Sequence, residues 1–131
     1  MVPHVTLLYG GLLGLLVAAL GINVTLVRWK VGVYVDPAVP PKRLFVAIRA
    51  FGNAVEWTPM LLVLLLLVEL SGGGSLGLHV VGGLLLLARA LHALGFLTRA
   101  RTSVAGAGLT WVVALWLPGW ALWLHFFKGT P

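Results

Sequence analysis

Four apolar runs, at about residues 7–27, 44–70, 76–97 and 109–127, dominate the chain. Each is long enough to cross a hydrocarbon layer of roughly 30 Å, which takes about 20 helical residues. Polar residues gather between the runs and nearly vanish within them, so the pattern predicts four transmembrane helices. The connections are short and punctuated, with Asp36, Pro37, Pro40 and Pro41 in the first and Gly72, Gly73 and Gly74 in the second. Such connections turn the chain straight back, so neighbouring helices are expected to be antiparallel, within one domain spanning residues 1–131. The expected fold class is an all-α membrane protein, a four-transmembrane-helix bundle.

Composition sharpens this picture. With 131 residues, 60% hydrophobic and 9% charged, and a mean hydropathy of +1.06, the chain does not have the make-up of a water-soluble globule. The first run lacks the basic start and small-residue cleavage site of a signal peptide, so it is expected to stay in the mature protein. Cysteine is absent, which excludes disulfides and thiol redox chemistry by the protein itself. Any thiol chemistry must use a substrate's sulfur.

The net charge of +6 does not point to nucleic acid, because the basic residues sit beside helix ends instead of forming a stripe on a soluble face. Arg28, Lys30, Lys42, Arg43 and Arg49 surround the first connection and Arg99 and Arg101 the third, whereas the second, SGGGSLGLH, carries no lysine or arginine. By the positive-inside rule the first and third connections are cytoplasmic and both termini lie on the other side, with Lys128 the one dissenter.

Inside this apolar frame a few polar positions call for an explanation. Arg49, Asn53 and Glu56 follow the i, i+4, i+7 spacing of one helical stripe, and His92 follows Arg89 by three residues on a common face. If Glu69 marks the outer end of helix two, Glu56 lies about 20 Å inward at 1.5 Å per residue, and Arg89 is equally deep counted from Leu76. At equal depth Glu56 and Arg89 could meet. Ionisable groups at such depth cost on the order of 3 kcal/mol each and normally face a bundle interior or a wet cavity. A Glu56–Arg89 pair that only fixes helix register, with Asn53 as interhelical glue, would leave the surplus of positive charge unexplained. Arg28, Arg49, Arg89, Arg99 and Arg101 outnumber Glu56, and a niche so biased suits an anionic guest.

Other features favour packing. Gly10, Gly14 and Ala18 form a small-residue ridge suited to close helix approach. Trp116, Trp120 and Trp123 share a face of helix four and fit an aromatic belt or a subunit contact. Pro118 is expected to kink that helix by removing the bond to the Ala114 carbonyl. His4, His79 and His125 fall near outer ends, and no cluster has the spacing of a metal site.

Arg49, Asn53 and Glu56, followed by Trp57 and Pro59, resemble the R-x-x-x-N-x-x-E-aromatic-x-P signature on the second helix of the MAPEG family, the membrane-associated proteins in eicosanoid and glutathione metabolism. Asn23 and Arg28 are similar to the polar residue and arginine closing that family's first helix. ARALHALG, residues 88–95, resembles its third-helix motif as written in bacterial members. The resemblance implies a homotrimer in a bacterial inner membrane, with glutathione as co-substrate between subunits near the cytoplasmic face and a small lipophilic electrophile or peroxide arriving from the bilayer lipids. It implies that Arg49, Asn53 and Glu56 hold the tripeptide, with Arg89 and His92 in the same cluster. Arg28 and Arg101 would activate the thiol, Arg99 being the alternative to Arg101. A cation beside sulfur favours the thiolate, which is the nucleophile. The chain carries His92 and Phe96 where glutathione-using members carry tyrosines, and Trp57 where they have a further tyrosine. Two other classes fit the same sequence: a small proton-coupled multidrug exporter using Glu56, and a non-catalytic membrane scaffold.

Overall fold

A computed structural model describes residues 2–35, 37–98 and 100–128. Helices α1 (His4–Val31), α2 (Lys42–Leu70), α3 (Ser75–Thr98) and α4 (Thr102–Phe127) make up the fold, and each is long and apolar enough to cross a membrane. The protein is a membrane protein built as a four-helix bundle. Helix α1 packs on α2 and α3, α4 packs on α2 and α3, and α1 and α4 occupy opposite edges.

All four helices extend past their apolar runs, α1 and α4 by the most, for separate local reasons. Helix α1 continues through Arg28 and Lys30, cations that suit the negative end of a helix dipole. It stops at Gly32, whose φ of 67° is left-handed; the Gly32 amide donates to the Trp29 carbonyl (3.4 Å) and the Val33 amide to the Arg28 carbonyl (3.1 Å). Gly72, with φ of 78°, ends α2 by the same device: its amide donates to the Glu69 carbonyl and that of Gly73 to the Val68 carbonyl. Two of the connections are thus written as glycines in the sequence. Helix α4 begins at Thr102, ahead of the apolar run, because its first turns are small. A Cβ on Gly95 would collide with the Ser103 backbone, and one on Gly106 with the backbone of Ala88 and His92. Glycines therefore let α3 and α4 touch main chain to main chain at this end.

The opposite end is closed by side chains. The Glu69 carboxylate accepts from the Val5 amide at 2.8 Å and the Thr6 amide at 2.7 Å, filling orphan donors of the first turn of α1. The Tyr9 ring occupies the space a Cβ on Gly82 would need, and its hydroxyl donates to the His79 carbonyl at 3.0 Å. Between the two ends runs an aliphatic core that includes Leu13, Leu65, Leu85 and Leu117.

Two packing expectations change. The ridge of Gly10, Gly14 and Ala18 approaches nothing within the chain: a Cβ on Gly10 or Gly14 would meet no atom within 4 Å, and Gly14 and Ala18 are exposed. Spacing alone fixed which face was small, not which neighbour it met. Trp120 packs within the chain, over Gly73 and Gly77, because glycine there leaves room for an indole. Helix α4 continues through Pro118 from Thr102 to Phe127.

Candidate functional site

At the level of Asn53 one turn of each of α2, α3 and α4 is joined by polar bonds. Arg89, only 1% exposed, donates from Nη2 to Asn53 Oδ1 at 2.6 Å and from Nη1 to Thr110 Oγ1 at 3.1 Å. The Thr110 hydroxyl in turn donates to the Gly106 carbonyl at 2.8 Å. Among the described residues Arg89 Nε is buried without a partner.

The Glu56–Arg89 ion pair that equal depth would allow is not formed among the described residues. Depth was counted correctly, since Arg89 meets Asn53, about one turn from Glu56, but rotation about the α2 axis turns Asn53 inward and Glu56 outward. Among the described residues no carboxylate bonds Arg89. Arg49 and Glu56 are both exposed along α2. Glu56 borders a groove of about 410 Å³ between α2 and α4, walled by Trp57, Met60, Leu61, Leu64 and Ala114. The stripe is therefore split, with Asn53 anchored inside the bundle and its two charged members on the outer face.

His92 joins the interior. It is 8% exposed; Nδ1 lies 2.8 Å from the Ser103 carbonyl, to which it donates, and among the described residues Nε2 is buried without a partner. The ring meets Phe96 edge-on at 5.0 Å. Its visible work is to hold the first turn of α4 against α3. Arg28 lies in the last turn of α1, half-buried, on the helix edge away from α4. Arg101 is exposed immediately before α4. Arg99 falls outside the described residues. Within one chain the structure unites Asn53 and Arg89, sets His92 one turn from Arg89, leaves Arg49, Glu56 and Arg101 on outer surfaces, and holds Arg28 half-buried at the end of α1.

Thr110 is the member that sequence reasoning missed. Its signal was a lone hydroxyl residue in the apolar stretch GLTWVV, two residues beyond a glycine.

The profile of the MAPEG family matches residues 6–123, most of the chain and all four helices. The chain belongs to the MAPEG family. Among individual relatives it is similar to the inner membrane protein YecN of Escherichia coli K12, 38% identical over 78 residues, covering 59% of this chain and 60% of that protein. The YecN of Escherichia coli O6:H1 matches to the same extent. The match thus spans about 60% of the length of these relatives.

Proposed function

We propose that this MAPEG protein binds glutathione at the interface between copies of itself in a homotrimer and transfers the thiol to a lipophilic electrophile, or reduces a lipid peroxide with it. The observation that carries this reading is the outward stripe of Arg49 and Glu56 on a membrane-spanning helix. Charged side chains at membrane depth do not face acyl chains at equilibrium when a protein surface can cover them. A second copy supplies that cover. Helices α1 and α4 lie at opposite edges, so the small-residue ridge of α1 on one copy can approach the α2–α4 groove of the next; such head-to-tail contacts close into a ring.

In that assembly Glu56 would receive the ammonium of the tripeptide and Arg49 a carboxylate, held by bidentate guanidinium bonds. Asn53, oriented by Arg89, would offer its amide. Arg28, arriving on the neighbouring α1, and Arg101 would favour the thiolate over the thiol. The thiolate then attacks the electrophilic carbon, a carbon–sulfur bond forms, and the leaving group departs with the electron pair. The chain's contribution is positioning and electrostatic activation, at the cytoplasmic side of an inner membrane with both termini opposite.

Isothermal titration of glutathione into the purified protein tests the reading, with binding expected in the parent and lost in Arg49→Ala and in Glu56→Gln. No heat from the parent protein would remove it. An exporter would instead show proton-coupled uptake into vesicles, abolished by Glu56→Gln; the guanidinium groups around Glu56 disfavour a cationic cargo.

A further inference from the structure

A second polar opening lies on the other side of the bundle, away from the Glu56 groove. A cavity of about 570 Å³ at the basic end is bordered by Asn23 and Val27 of α1, Arg43, Val46 and Ala47 of α2, and Leu97 and Thr98 of α3. Through Asn23 and Leu97 it continues into a cleft of about 350 Å³ between α1 and α3. The walls of that cleft are apolar: Leu16, Ala19 and Leu20 on one side, Ala90, Ala93 and Leu94 on the other. The alanines keep the helices from filling the space between them.

From Leu16 to Val27 the channel runs about 16 Å at 1.5 Å per helical residue, close to half of a ~30 Å hydrocarbon layer. Its length is that of one leaflet, and its chemistry changes along that length as a lipid's does. At the mouth Arg43 is exposed, with Lys42 beside it. Deeper, the half-buried Asn23 borders both cavities, and neither its amide nor the Arg43 guanidinium has a hydrogen-bond partner among the described residues. An unmet amide at this depth is costly in hydrocarbon. The antiparallel register seen where Gly21 meets Phe51 puts Asn23 about 10 Å further in than Arg43, a gap that the long arginine side chain partly spans.

We propose that this cleft is a site for an anionic phospholipid of the adjoining leaflet, with one acyl chain between α1 and α3, an ester carbonyl on the Asn23 amide and the phosphate at Arg43. The ester contact favours a phospholipid over a free fatty acid, whose charged head would have to stop either at Arg43 or at Asn23. Basic pockets between membrane helices are suited to anionic headgroups. The site does not depend on the glutathione reading and uses none of its residues.

Native mass spectrometry of the detergent-purified protein, titrated with dioleoyl phosphatidylglycerol or dioleoyl phosphatidylcholine, tests the assignment. The parent should retain phosphatidylglycerol at least five-fold more than phosphatidylcholine. Arg43→Glu should abolish that preference while weak retention of both lipids persists. Ala19→Phe should lose both lipids with Arg43 intact; Ala90→Phe plugs the cleft from the other wall in case the first variant folds poorly. Equal retention of the two lipids by the parent would overturn the proposal, as would unchanged retention in both plugged variants. Displacement of phosphatidylglycerol by equimolar oleate would reassign the cleft to free fatty acids.

Discussion

Glu69 and Val5, far apart in sequence, are joined where the carboxylate of the penultimate residue of α2 accepts the first-turn amide of α1 at 2.8 Å, with Thr6 completing the clasp at 2.7 Å. An anion at a helix N-terminus satisfies orphan donors and meets the positive end of the dipole. Glu69→Ala should lower stability by about 1–3 kcal/mol, read as an earlier midpoint in denaturation from detergent. Glu69→Gln should fall between it and the parent. Lys128→Ala removes only an exposed contact to the Gly72 carbonyl and should move the midpoint little. Equal loss from all three would refute the clasp.

Thr110 gives the Arg89 guanidinium one of its two acceptors. Thr110→Val leaves a buried donor unmatched and should cost about 1–3 kcal/mol. Arg89→Leu together with Thr110→Val should cost less than the sum of the two single changes, because each removes the same bond. Additive losses in the thermal unfolding series would show that the pair is not coupled.

Gly106 and Gly108 lie two positions apart on α4 and differ in surroundings. A Cβ at Gly106 meets the backbone of α3, whereas one at Gly108 meets nothing within 4 Å. Gly106→Ala should destabilise the bundle by about 1–3 kcal/mol through overpacking; Gly108→Ala should be neutral or slightly stabilising. A thermal scan that ranks them the other way would refute the main-chain contact.

Arg49 and Glu56 face outward, as do Gly10 and Gly14. If neighbouring copies cover them, Arg49→Glu and Gly14→Leu should each shift the protein from trimer to monomer in mass photometry while leaving circular dichroism unchanged. Retention of the same mass in both variants would rule out this interface.

The architecture was legible because apolar runs the length of a bilayer leave few alternatives, and the glycines from 72 to 74 already marked one connection; Gly32, which ends α1, is a second such signal that the reading did not use. The start of α4 was not, since the small residues of TSVAGAG carry no apolar signal and are ordered by contact with α3. Depth along a helix can be counted in residues, which brought Arg89 to the level of the α2 stripe. Rotation about the helix axis cannot be counted that way. Asn53 therefore took the place expected for Glu56, and Thr110, a single hydroxyl among aliphatic residues, gave no sign of its partner. Glu69 read as an end marker, because backbone amides as acceptors' partners are invisible in a side-chain pattern.

The placing of Arg89 also constrains biogenesis. A nascent α3 would enter the bilayer with a guanidinium whose acceptors lie on the helix before it and the helix after it. Until Thr110 has left the ribosome, only Asn53 is there to receive it, and a lone arginine at this depth costs on the order of 3 kcal/mol. Release of the third segment together with the fourth, as a hairpin, would spare that guanidinium a passage through lipid without its Thr110 acceptor.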